Sequence, residues 1–189
     1  MITFYLIGIM LLVFLLQLIP SFTEMFWFDP AVALEQPYRF ITSIFLHGGF
    51  AHIFYNMFAM FMFAPLLEHK VGTKHFIIIL LLSGITGSVL YYITVLLGII
   101  PPLPALGASG AIYGILGALS ILMPDLVIYF WFFPMKMRNA AILWILIEFI
   151  GSFNPYSGIA SAAHLGGLLF GIAYANLMLK RQETYDEWY

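Results

Sequence analysis

Cysteine is absent from this sequence, and charge is scarce: Lys and Arg together number 7, Asp and Glu 9. The first absence excludes disulfides, thiolate metal sites and thiol nucleophiles. The second leaves a net charge of −2 with no run of Lys or Arg, so the electrostatic footprint of a nucleic-acid partner is missing. No fixed-period repeat or low-complexity tract appears, which removes solenoid and linker readings. The first apolar stretch, Ile2 to Ile19, lacks a basic leader and a small-x-small cleavage site, and reads as a retained helix rather than a signal peptide.

What fills the chain is apolar surface. At 63% hydrophobic residues over 189 positions, the composition lies far outside that of a soluble domain. Apolar runs without period-2 alternation fall at 2–20, 47–67, 75–98, 109–123, 137–152 and 159–179. Four of the six are near or above the length of about 20 residues that a bilayer core requires, and those at 109–123 and 137–152 are shorter. The breaks carry turn chemistry: Pro20 and Asp29-Pro30, Glu68 to Lys74, Pro101 to Pro104, Pro124-Asp125, and Asn154 to Gly158. The expectation is an all-α polytopic membrane protein, one domain over 1–189, with a first loop at 20–46 on the outer side and a tail at 180–189. Lys70, Lys74, Lys136, Arg138, Lys180 and Arg181 then fall on one side of a six-span bundle, which predicts that both termini are cytoplasmic. The segment Leu126 to Phe133, aromatic and β-branched, fits an interfacial strand or a continued helix equally well.

The fourth run is short. From Ser109 to Met123 it spans about 22 Å, less than a hydrocarbon core of about 30 Å. If its inner end reaches the cytoplasmic interface, Ser109 starts a helix below the outer surface, where orphan N–H groups need protein or a water-filled cavity. Taken alone, a small residue in a spanning helix is a packing element. His164 changes that weighting, because a histidine near the outer end of a span is costly unless partnered. Gly110 and Gly114 make one small-xxx-small face; Gly167 and Gly171 make another, sharing a side with His164. Close contact of the two faces would bring His164 to Ser109, the nucleophile and base that acyl transfer needs. Tyr113 lies on the serine's face and is placed to pack on the imidazole. In the second run, His52 and Asn56 stand at i and i+4, where they serve either as donors to an oxyanion or as polar glue between helices. The histidines have no HExxH spacing, so neither a metal nor a cofactor is expected. Glu148, in the fifth run, lends some support to a conduction path, yet a lone acid near the outer end can also reach the interface by itself.

This pattern resembles the rhomboid family of intramembrane serine proteases. The matching elements are Gly107-x-Ser109-Gly110 with Tyr113, Ala163-His164-x-x-Gly167-x-x-x-Gly171, and His47 with His52-x-x-x-Asn56. Tyr38-Arg39 is similar to the family's aromatic-Arg signature and Glu68-x-x-x-Gly72 to its helix-two ending. Ala64 departs from a glycine common there, and Tyr38 from a tryptophan; both concern packing. The resemblance implies a six-helix core and a Ser/His dyad without a carboxylate. It assigns Ser109 as nucleophile and His164 as general base and acid. His52, Asn56 and the Ser109 amide become the oxyanion hole, and His47 is structural.

The partners it implies are single-pass transmembrane proteins, cut near their outer ends, and membrane lipids. Substrates with helix-destabilising Gly or Pro should be preferred, and the loop from Phe153 to Gly158 is the candidate lid. The expected location is a prokaryotic cell membrane. Two rivals remain: a small transporter or channel, and a relative that binds membrane helices without cutting them.

Overall fold

The computed structural model describes residues 1–130, 132–154 and 160–186. Its elements in chain order are α1 (Ile2–Leu16), two short helices α2 (Phe22–Phe26) and α3 (Arg39–Thr42), a 3₁₀ turn (Ser43–Phe45), α4 (Phe50–Leu96), α5 (Ser109–Leu122), strands β1 (Val127–Phe130) and β2 (Phe133–Lys136), α6 (Met137–Gly151) and α7 (Ser161–Asp186).

The 47 residues of α4 would reach about 70 Å as one rod, more than twice a bilayer core. The rod is broken at Gly72, whose φ of +77° is open to glycine and strained for other residues. The second and third apolar runs are therefore two arms of α4 on either side of a kink at Gly72. Glu68, buried just before that kink, takes the N–H groups of Ile2 and Thr3 at 2.7 and 3.1 Å and the Thr3 and Thr73 hydroxyls at 2.8 and 2.9 Å. A carboxylate here satisfies the orphan donors of α1 and complements its dipole. Burial works to raise the Glu68 pKa, but these hydrogen bonds outweigh it and hold the carboxyl down at about 2.

Helix α5 is the centre of the molecule: every residue from Gly114 to Ser120 is buried. It packs against α7 through the glycine faces the sequence marks. A methyl at Gly167 would overlap the Gly110 carbonyl, and one at Gly171 the Gly114 carbonyl. Backbones this close are the geometry small-xxx-small faces permit. Large apolar side chains cover the outside, among them Leu12 on α1, Phe58 on α4 and Ile142 on α6, each more than half exposed. A soluble monomer rarely carries an apolar surface of that extent.

Two helices, Phe50–Leu96 and Ser161–Lys180, are long and apolar enough to cross a bilayer; Ile2–Leu16 and Ser109–Leu122 are shorter apolar helices. The boundaries follow the apolar runs to within a few residues except at the last, where α7 continues to Asp186, so that the expected tail is helical over 180–186; two further corrections apply. His47 lies ahead of its helix, because the chain turns at Gly49 and α4 begins at Phe50. The chain is also not wholly helical. Between α5 and α6, Val127↔Lys136 through Phe130↔Phe133 pair as an antiparallel hairpin, resolving the open segment in favour of a strand. Pro124 stops α5, and the aromatic and β-branched residues that follow suit a pleated surface. Asp125 closes the hairpin's base, accepting Lys136 Nζ and Arg138 Nη2 at 2.8 Å each.

Candidate active site

Ser109 owes its position to the segment before it. Ala105 exchanges both backbone hydrogen bonds with Phe28, at 2.9 and 2.8 Å, and the Gly107 N–H donates to the Ser43 carbonyl at 2.9 Å. Gly107 then turns with φ +130°, and a Cβ there would sit 2.7 Å from the His52 ring. Glycine is thus required twice, by backbone conformation and by the neighbouring imidazole. The helix starts immediately after, so Ser109 opens α5 with an N–H that has no intrahelical acceptor.

His164 stands in the first turn of α7, and its Nε2 lies 2.7 Å from Ser109 Oγ. The glycine contacts below set this distance, since they fix how far apart α5 and α7 run. The imidazole side chain is 12% exposed. Tyr113 stacks on it with ring centroids 4.5 Å apart and planes 11° from parallel, and Trp144 meets Tyr113 edge-on. Behind the ring lies a carboxylate. Glu148 of α6 is 5% exposed; its Oε1 accepts the Tyr113 hydroxyl at 2.6 Å and lies 3.2 Å from His164 Nδ1. That Nδ1 is buried and makes no hydrogen bond among the described residues.

On the other side of Ser109, at the start of α4, stand His52 and Asn56. His52 Nδ1 accepts the Gly48 N–H at 3.2 Å, which leaves Nε2 to carry the ring's proton. Asn56 is 7% exposed, and its Nδ2 is buried with no partner among the described residues. A buried donor without an acceptor costs stability in the resting protein; an oxyanion would remove that cost. His47 packs behind, 1% exposed and edge-on to His52 with centroids 5.3 Å apart. Gln17 at the end of α1 clamps the His47 backbone, receiving its N–H at 2.9 Å and donating to its carbonyl at 3.0 Å.

Ser109, His52 and His164 line one cavity of about 630 Å³, bounded by the Pro101–Ala105 approach and the facing ends of α6 and α7. Its lining is mostly apolar but carries His52, Ser109, Ser152, Ser161 and His164, and it is roomy enough for water. No cluster of three metal-ligating side chains occurs among the described residues.

Of the residues singled out in the sequence, Ser109, His164 and His52 line this cavity, Tyr113 stacks behind His164 and Asn56 stands beside Gly107 and His52, with Gly107, Gly110, Gly167 and Gly171 setting the approach of the backbones. Tyr38 and Arg39 do not reach it. Arg39 folds the first loop instead, donating to the Glu24 and Trp27 carbonyls at 2.7 and 2.8 Å and to Gln36 Oε1 at 2.6 Å. Of the candidate lid, residues 155–158 lie outside the described residues. Glu148 does not reach the interface by itself; it turns inward to His164. Its signal was an acid within an apolar span, which requires a partner; that the partner is His164 was not readable along the chain. Gln17 left no signal, since an amide at a helix end reads as an interfacial residue.

The rhomboid domain model matches residues 34–181. YdcA, a rhomboid of Bacillus subtilis (strain 168), is 30% identical over 198 positions that cover 95% of this chain and 89% of YdcA. The rhomboid protease GluP of the same organism is 33% identical over 140 residues, 74% of this chain and 26% of GluP. The mitochondrial RHOMBOID-like protein 6 of Arabidopsis thaliana is 33% identical over 155 residues, 79% of this chain and 46% of its own. The chain thus spans nearly all of YdcA but about a quarter of GluP and under half of the plant protein.

Proposed function

Because the chain belongs to the rhomboid family of intramembrane proteases, we propose that it is a serine endopeptidase that cuts single-span transmembrane proteins near the outer membrane face. The observation that carries this reading is the 2.7 Å contact of Ser109 Oγ with His164 Nε2 at an open cavity. In the proposed arrangement the whole chain is one domain of six spans, the two arms of α4 counting separately, with both termini cytoplasmic in a prokaryotic cell membrane. Ser109 then lies below the outer surface, because α5 is only about 21 Å long.

Reaction begins as the Ser109 O–H proton passes to His164 Nε2 and Oγ attacks the scissile carbonyl. The oxyanion that forms is met by the Ser109 N–H, the His52 Nε2–H and the Asn56 Nδ2 amide, all fixed before substrate arrives. The imidazolium returns its proton to the leaving amine. A water, activated by the same imidazole, then releases the acyl group. The peptide must present its carbonyl unwound, since a helix sequesters it in i to i−4 hydrogen bonds; segments bearing Gly or Pro meet that demand most readily.

The test is cleavage of a model single-span substrate by purified protein in vesicles, with products mapped by mass spectrometry. Wild type should cut once near the outer end of the substrate span, and Ser109→Ala and His164→Ala should each lose at least about 10⁴-fold in rate. Cleavage that survives Ser109→Ala would overturn the assignment.

A further inference from the structure

The geometry points to Glu148 as a third functional group behind His164, so that the protein works through a Ser–His–Glu relay of contacts instead of a bare dyad. This inference rests on the protease reading above. Three observations converge on it. The carboxylate lies 3.2 Å from His164 Nδ1, the ring atom opposite the one that meets Ser109. It is nearly inaccessible, at 5% exposure, so water screens it little. It is also held in place, because Tyr113, stacked face to face on the imidazole, donates its hydroxyl to the same Oε1 at 2.6 Å.

The packing explains why an acid is tolerated there. A carboxylate buried without a partner in an apolar span is costly. Here α6 delivers it to the one imidazole in the molecule that must become positively charged during turnover. With Glu148 facing Nδ1, the neutral ring carries its proton on Nδ1 and leaves the Nε2 lone pair for the serine proton. When that proton arrives, the imidazolium sits between Ser109 Oγ and the carboxylate. Nδ1 keeps its hydrogen, no proton passes to Glu148, and the charge pair favours the transition state over the neutral resting state. In the resting protein Nδ1 makes no hydrogen bond among the described residues, and the carboxylate faces it at 3.2 Å. Tyr113 is then a positioning residue with two tasks, the stack that holds the ring plane and the hydroxyl that holds the acid.

The experiment compares wild type with Glu148→Gln, Glu148→Asp and Tyr113→Phe, each purified, checked by thermal melting, and assayed for kcat and KM on the same single-span substrate and for the rate of fluorophosphonate labelling at Ser109. Glu148→Gln keeps the shape and an acceptor for Tyr113 but removes the charge. It should lower kcat by at least about 100-fold, toward the ~10⁴ seen when the carboxylate of a serine-protease triad is neutralised. KM should stay within about threefold, and labelling should slow in parallel. Glu148→Asp should recover part of the loss. Tyr113→Phe should cost about tenfold in wild type and nothing further in the Glu148→Gln background, since both act through one carboxylate. A purely structural acid would instead move melting and KM together. Glu148→Gln that folds and retains kcat within threefold overturns the inference, while loss of cleavage in Ser109→Ala leaves the protease reading standing. Should Glu148→Gln not fold, Tyr113→Phe decides: an unchanged kcat overturns the relay.

Discussion

Replacing Gly171 with alanine tests whether the approach of α5 and α7 sets the distance between Ser109 and His164. A methyl at Gly171 would overlap the Gly114 carbonyl oxygen and lie 2.8 and 2.9 Å from its carbon and Cα. Comfortable carbon contacts begin near 3.5 Å, so the helices would have to part by roughly 0.7–1 Å. Ser109 and His164 ride on these same two helices. Their 2.7 Å contact would open to about 3.5 Å, and a misplacement of about 1 Å is worth around 10²-fold in rate. Overpacking of this kind also costs about 1–3 kcal/mol, which for a chain of this size lowers the melting midpoint by about 2–4 °C per kcal/mol. Gly8→Ala is the control, because a methyl there meets nothing within 4 Å and alanine is the better helix former by up to about 1 kcal/mol. The assay is substrate cleavage in vesicles beside thermal melting in detergent. Gly171→Ala that melts and cleaves like wild type would refute the idea that close backbone packing positions the pair.

His52→Ala and Asn56→Ala should each reduce kcat by about 10²–10³-fold with little change in KM, the signature of donors used only in the transition state; a rise in KM at constant kcat would assign them to substrate binding instead. The Glu68 cap should appear in the pH dependence of stability. Its pKa is about 2 in the folded protein against an ordinary 4.5, so the carboxylate contributes stability above pH 4.5 that is lost as the pH falls toward 2. Melting midpoints measured from pH 6 to pH 2 should fall in wild type and fall less in Glu68→Gln; identical slopes would refute the role of the cap.

The apolar runs, their breaks and the two glycine faces were legible in the sequence because the bilayer imposes length and composition on each span locally. His164, His52 and Asn56 drew attention because polar groups in apolar runs are costly unless partnered, and Ser109, which alone reads as packing, because it opens a run too short to span. Once the glycine faces at 110/114 and 167/171 were paired, the meeting of Ser109 and His164 followed from register alone. Other features depended on the third dimension. The hairpin at 127–136 needs a partner strand to exist, and the sequence of either strand alone fits a helix as well. His47 was counted within a helix because turning at Gly49 is a backbone event that hydropathy does not report.

Glu148 is the clearest division between the two sources. Its sequence position specified an acid in a span, but an acid 16 residues ahead of His164 on a separate helix has no local relation to it. Only the packing of α6 against α5 and α7, with Tyr113 bridging ring and carboxylate, decided that this charge faces the imidazole and not the interface. The chain's composition determined its solvent and its candidate chemistry, since both are additive properties of residues along a span. The tertiary structure decided which polar atoms share a cavity, since that depends on helix faces whose orientation is fixed only when all the spans pack together.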